Sequence, residues 1–296
     1  MKRVVSVSLG SSKRNKKSQF IFLGQEFELE RIGTDGDMKR FAEMFHELDG
    51  KVDAMGVGGA DIYLVAGERK YTFREIAACV SGVKTPIVDG GGLKHTLERK
   101  AINLLQEVVD FPREKALIVS AVDRYGMAQA IDEVCPDVVY GDLMFGVGMP
   151  IPLRSYRAVD RLGKILLPVI TKLPFKWFYP TGDKQEKRTP KFPKLWAERT
   201  FIGGDSLIIL RYAPDRLDGK TILTQSVRAK DIEFFRSSGL KRLITTTPVI
   251  GGETFATNVM EAALVAYLEK AQPTPEDYQE VLNRIGWRPD VLELNP

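Results

Sequence analysis

Four loops of the 296-residue chain combine glycine with hydroxyl or charged residues: GSSKR at 10–14, GVGGAD at 56–61, DGGG at 89–92 and TTTPVIGGET at 245–254. Glycine lets the backbone come close to a ligand, and free N–H groups at a helix N-terminus attract an anion. Hydroxyls add donors. Ser11, Ser12, Asp89, Gly90 and Gly91 are therefore candidate substrate contacts, and Thr245, Thr246, Thr247, Pro248 and Gly251 could cradle a nucleotide. Two further turns carry charge where a strand gives way to a helix. In SAVDRYGMAQ, Asp123 could accept from a ribose hydroxyl and Arg124 could grip a phosphate, with Arg228 as its rival.

Several chemistries are excluded by spacing. GVGGAD is an incomplete G-x-G-x-x-G, followed by the strand-like Ile62 to Val65, and neither a P-loop nor G-x-S-x-G occurs. Cys79 and Cys135 lack a C-x-x-C partner, and with only His46 and His95 no H-E-x-x-H exists, so no metal site is expected.

The elements that must position these loops alternate. Short β-branched runs (RVVSVSL, FELERI, VDAMGV, TPIVD, ALIVSAV, DVVYG) lead through glycine-rich breaks into amphipathic stretches. From Asp37, Met38, Phe41, Met44, Phe45 and Leu48 share one helix face; from Leu93, Leu97, Ile102, Leu104, Leu105 and Val108 do the same. Such alternation predicts an α/β fold of two Rossmann-like domains, with mostly parallel sheets facing a central cleft. The expected boundaries are 1–150 for an N-terminal domain, 151–200 for a bridging helix and basic, proline-rich loop, and 201–296 for a C-terminal domain. The bridge contains YRAVDRLGKILLPVITKLPFKWFYP, helix-like and broken by Pro168 and Pro174, and from 172 to 194 it has seven Lys or Arg against two acids. Its apolar side could pack on the core or cover an acyl site. DSLIILRY and KTILTQS read as strands, and TPEDYQEVLNRIGW reads as a helix capped by Thr274 with Asp277 three residues on.

A net charge of +4, from 43 basic and 39 acidic residues, is too balanced to argue for nucleic acid, and 44% hydrophobic residues can bury a substantial core. The apolar run at the start is too short for a signal peptide or a membrane span, which points to the cytoplasm. A small anionic substrate is the expected partner, without nucleic acid or stable membrane insertion, and a homo-oligomer stays open.

Residues 32–61, IGTDGDMKRFAEMFHELDGKVDAMGVGGAD, resemble the stretch of shikimate and quinate dehydrogenases in which N-T-D-G opens a helix and a strand runs into a G-x-G-G-A turn. TTTPVIGG is similar to the N-A-T-P-x-G loop of that family, and the chain as a whole resembles bacterial quinate dehydrogenase-like proteins. The resemblance implies an NAD(P)-dependent oxidoreductase acting on a small carboxylated hydroxy substrate, with NAD or NADP as cofactor. It makes Asp35 the acid of a Lys/Asp pair, gives Gly56, Gly58 and Gly59 the pyrophosphate turn, and sets Thr247, Pro248 and Gly251 along the nicotinamide. The family's N-V-T-x-P-x-K motif is absent. Lys94, next to Asp89 and the glycine triplet, is the lysine available as a general base of lowered pKa. The alternatives are a two-domain transferase with a nucleotide-linked donor, and a non-catalytic protein that closes on a small anion.

Overall fold

The computed structural model describes residues 1–67, 69–177, 187–247, 249–250 and 253–296, with the backbone alone at 249, 250, 253 and 254. Two parallel-rich sheets form the cores of two lobes.

The first sheet starts from β1 (Lys2–Ser8), whose Val4, Val5 and Val7 are all buried, as expected of a strand covered on both faces. β2 (Lys16–Phe22) and β3 (Gln25–Gly33) form a hairpin; Leu23 and Gly24 both have positive φ, the geometry of a tight two-residue turn. After α1 (Met38–Leu48), capped by Asp37, come β4 (Ala54–Gly58), a small hairpin of β5 (Tyr63–Ala66) and β6 (Arg69–Thr72), α2 (Arg74–Cys79) and β7 (Ile87–Val88). The strand order is β2-β3-β1-β4-β7, with β3, β1, β4 and β7 parallel. Phe41, Met44 and Phe45 of α1 cover one face of this sheet.

α3 (Gly91–Leu105) is shared between the lobes. Leu93, Leu97 and Ala101 pack into the core of the first, while Ile102 and Leu105 belong to that of the second. The second sheet then begins with β8 (Lys115–Ile118), α4 (Tyr125–Val134) and β9 (Asp137–Tyr140). A π-helical turn over Asp142–Gly146 leads to α5 (Tyr156–Ile170), which runs past Pro168 and lies against β5 of the first lobe. α6 (Pro193–Glu198), β10 (Phe201–Gly203), α7 (Ser206–Tyr212), β11 (Thr221–Thr224), α8 (Ala229–Ser237) and β12 (Arg242–Thr245) complete its parallel part.

The chain crosses twice more. After a hairpin of β13 (Val249–Ile250) and β14 (Glu253–Thr254), α9 (Thr257–Leu268) returns to the first lobe and packs on β1 and β4. Residues 257 to 266 of α9 are all buried, which suits a helix apolar on nearly every side. α10 (Pro275–Arg284), held by the Thr274–Asp277 capping box, follows, and β15 (Asp290–Glu293) closes the second sheet antiparallel to β12. The second order is β15-β12-β11-β10-β8-β9.

The expected boundaries near 150 and 201 do not separate the sheets. β8 and β9 belong with β10 to β12, and α9 belongs with β1 and β4, because each lobe is completed by a distant piece of chain. DSLIILRY is likewise corrected: all of it after Asp205 is α7, capped by Asp205, whose carboxylate accepts from the N–H groups of Leu207 and Ile208. The preceding FIG is the strand.

Candidate functional site between the lobes

In an open parallel sheet, ligands lie beyond the carboxyl ends of the strands where the chain order reverses direction. In the first sheet that point falls between β1 and β4, and in the second between β8 and β10. Ser8, Ser11 and Gly58 to Asp61 follow one pair; Ser120, Asp123, Arg124, Asp205 and Ser206 follow the other. All of them line a single cavity of about 1490 Å³ between the lobes.

A buried ionic network spans the middle. Lys94, one turn into α3, donates to Asp123 at 2.7 Å and to Asp61 at 3.3 Å. Arg124 reaches Glu98 at 2.6 Å, Asp205 at 2.8 Å and Asp123 at 3.0 Å, and Gln225 also donates to Asp205 at 2.8 Å. Burial disfavours the Lys94 ammonium, but Asp123 and Asp61 outweigh it and hold its pKa above the ordinary lysine value. Burial also opposes the Asp123 carboxylate, yet Lys94 and Arg124 bring it down to about 2. Asp61, with the longer contact to the shared lysine, is pushed up to about 7 by burial, with Asp123 and Asp89 adding repulsion. Lys94 is thus a fixed cation. Its raised pKa is opposite to the lowered pKa expected of a general base.

Hydroxyl and cationic groups flank this network. Ser6 accepts from the Asn258 amide at 2.6 Å, and Ser8 accepts from Arg31 at 3.0 Å. Arg31 donates otherwise to the carbonyl of Ser11 at 3.1 Å, and no carboxylate lies within ion-pair reach of it among the described residues. Burial and the neighbouring Arg14 pull its pKa down to about 10, still far above neutrality. Lys13, Arg14 and Lys16 on the same lobe, and Arg228 and Lys230 on the other, line this end of the cavity. The opposite end is apolar, bounded by Leu143 and Val147, by Leu162, Leu166 and Ile170 of α5, and by α7. Among the described residues, three buried polar atoms of lining residues have no partner: Asp142 Oδ2, Arg211 Nε and Thr257 Oγ1. No histidine or cysteine lines the cavity, and no metal-holding cluster of acids, histidines and cysteines occurs among the described residues.

Of the residues singled out in the sequence, Ser11, Gly58, Gly59, Asp89, Lys94, Asp123, Arg124, Arg228 and Thr245 meet at this cavity. The others that the structure describes serve the fold. Asp35, exposed at φ 54°, accepts from the Ser12 N–H at 2.7 Å, so it orders the loop after β1 and makes no pair with Lys94. Gly56 lies inside β4, where a Cβ would meet the Asn258 amide at 2.9 Å; it allows α9 to approach and forms no pyrophosphate turn. Gly90, at φ 96°, likewise abuts the backbone of Asn258, and Gly91 starts α3 with its N–H on Asp89. Thr246 and Thr247 are buried behind the rim, with the Thr247 hydroxyl donating to the Gln225 carbonyl at 2.5 Å. Pro248 and Gly251 lie outside the described residues. Ser6, Arg31, Asp205, Gln225 and Asn258 were missed. The signals were present in the serines of VVSVS and in GGDS at 203–206, a fifth glycine-acid-hydroxyl turn.

The solved structures similar to this chain share little sequence with it. They include a periplasmic ribose ABC transporter protein from Conexibacter woesei, 9% identical, covering 95% of this chain and 95% of that one at a TM-score of 0.38. An ABC transporter solute-binding protein from Agrobacterium vitis with bound α-D-tagatopyranose is 8% identical, covering 93% and 91%, at a TM-score of 0.40. One from Burkholderia multivorans is 10% identical, covering 98% and 99%, at 0.39. A search of curated proteins gives no match.

The expected quinate or shikimate dehydrogenase is corrected here. The three structures named are described as transporter or solute-binding proteins, and within this chain the residues assigned to catalysis do not assemble: Asp35 bonds the Ser12 N–H while Lys94 bonds Asp61 and Asp123. With the oxidoreductase falls the expected NAD or NADP, since Gly56, the first glycine of the supposed pyrophosphate turn, lies inside β4 against Asn258; the molecule named in the A. vitis structure is a sugar. Where the sequence pointed to the cytoplasm, the C. woesei protein is described as periplasmic. No helix among the described residues is long and apolar enough to cross a membrane.

Two family models divide the sequence where the chain leaves the first sheet. One, a domain of unknown function (DUF8753), matches residues 3–89, and the other, a domain of unknown function (DUF8754), matches residues 92–294. Because the second spans well over half of the chain, from the first turn of α3 to the closing strand of the second sheet, the protein belongs to the DUF8754 family.

Proposed function

We propose that this chain is a non-catalytic receptor whose two Rossmann-like lobes close on a small, hydroxylated anion. One observation carries the reading: the reversal points of both sheets open onto the same cavity and present it with fixed donors and acceptors. Asp61, Asp123, Asp205 and Gln225 offer acceptors for hydroxyl groups; Lys94 and Arg124 offer donors held in place by their own ion pairs. Arg31 supplies a cation for an acidic group. At about 1490 Å³ the cavity exceeds the roughly 300–1,000 Å³ of ordinary small-molecule pockets, which fits an open form that narrows around its ligand.

The test is a thermal-shift panel of neutral monosaccharides, uronic acids and sugar phosphates, with NAD and NADP as controls, followed by small-angle scattering. A ligand present at a hundred times its Kd stabilises the folded state by about 2.7 kcal/mol, a shift of several degrees. We expect an acidic sugar to give that shift and to reduce the radius of gyration. A panel without any shift, or a shift without compaction, would count against the receptor.

A further inference from the structure

Resting on that receptor reading, we infer that the ligand is amphipathic: a hydroxylated, anionic head joined to an apolar tail that lies along α5. The cavity changes character along the strand order of both sheets. Arg31, near the end of β3, and Lys13 and Arg14, beyond β1, line one end, and the other lobe brings to it Lys230, Arg228 with its ion-pair partner Asp231, and Asp290 of β15. Beyond β4 stands Asp61, opposite Asp205, Asp123 and Arg124 beyond β10 and β8. Past β9, the last strand of the second sheet on this side, the lining is Leu143 and Val147, and across from them lies α5.

α5 is fixed there by close packing. A Cβ at Gly163 would stand 2.9 Å from that of Ala66, so the helix sits directly on β5, while Val159 anchors its start in the core of the second lobe. Leu162, Leu166 and Ile170 line the cavity and are only half-buried, as are Leu143, Leu207 and Ile208 on the facing wall. A cleft built solely for a polyol has no use for this surface, and apolar patches of this kind mark where something binds. The basic end, the hydroxyl-binding middle and the apolar end belong to one continuous cavity, and a single molecule with those three parts in that order complements it.

Calorimetry with D-glucuronate and n-octyl β-D-glucuronide tests this, the latter kept below its self-association concentration. The wild-type chain is expected to bind the octyl compound at least about tenfold more tightly, since even partial burial of eight carbons supplies that much. Leu166→Gln, on α5, and Leu143→Gln, on the opposite wall, should each reduce the ratio of octyl-glucuronide to glucuronate affinity severalfold; two variants on separate elements guard against one of them misfolding. Glucuronate binding with no gain from the octyl chain overturns the tail and leaves the receptor standing. An advantage that survives both substitutions also overturns it, as does a dimer, seen by sedimentation, that Leu166→Gln abolishes and the octyl compound does not disturb. Binding of neither compound removes receptor and tail together.

Discussion

Lys94 holds two carboxylates from different parts of the chain, Asp61 after β4 and Asp123 after β8, and all three side chains are buried or nearly so. Removing one member of such a set leaves the others as uncompensated charges, at a cost of about 3–5 kcal/mol. Lys94→Met is therefore expected to destabilise the protein by that amount in urea unfolding, with Lys94→Met/Asp61→Asn recovering part of the loss. Arg31 stands differently, because among the described residues its guanidinium bonds only to neutral oxygens. Arg31→Met should weaken binding of an acidic ligand about 10- to 100-fold by calorimetry, the value of one charge-assisted hydrogen bond, with little effect on a neutral analogue. The sequence exposed the charged turns DRYG and KTILTQSVR but not their partners. Nothing local joins Lys94 to Asp61 and Asp123 across about thirty residues each way, and an isolated lysine beside a glycine triplet reads equally well as base or as counter-ion. The Lys/Asp pair expected of Asp35 failed for the same reason, since its acid turned out to serve a neighbouring backbone N–H.

Among the elements, α9 bears a titratable group in the core of the first lobe. Glu261 accepts from the Tyr278 hydroxyl at 2.7 Å and from the Leu93 N–H at 3.2 Å, and burial, with Asp89 nearby, pushes its pKa up to about 7. In the unfolded chain the group ionises near 4.3. Between those values the native state keeps a proton that the unfolded state has lost, so this stabilising contribution is full in acid and disappears as pH rises through about 7. Glu261→Gln is expected to flatten that decline and to raise stability at pH 8 by an amount on the order of 3 kcal/mol, measured as denaturation midpoints across pH. Asp61 and Asp142 are shifted upward as well, so the comparison of variant with wild type, and not the wild-type slope, isolates Glu261. Elements of this kind were legible where period and cap agreed, as in α1 behind Asp37 and α10 behind Thr274. DSLIILRY was misread because a seven-residue apolar helix is too short to show its period against a strand.

At the scale of the molecule, alternating strands and helices announced an α/β fold in two lobes around a cleft, yet chain order concealed which strands share a sheet. Periodicity is local, while membership of a sheet is decided by crossovers such as α3 and the passage from β12 to α9. If the lobes close on a ligand, the change in radius of gyration should saturate with the same midpoint as binding, and both should weaken with added salt, because screening acts on the basic end of the cleft.

The return of α9 to the first sheet also sets an order of assembly. Val4, Leu29 and Ala54 pack with Val259, Met260 and Ala263, so the amino-terminal strands leave the ribosome some two hundred residues ahead of the helix that covers them. Nascent chains stalled before residue 257 should remain open to protease in their first hundred residues and become resistant only once α9 has cleared the exit tunnel. A chaperone holding the early strands would then be guarding one particular surface, the side of β1 and β4 reserved for a helix not yet made.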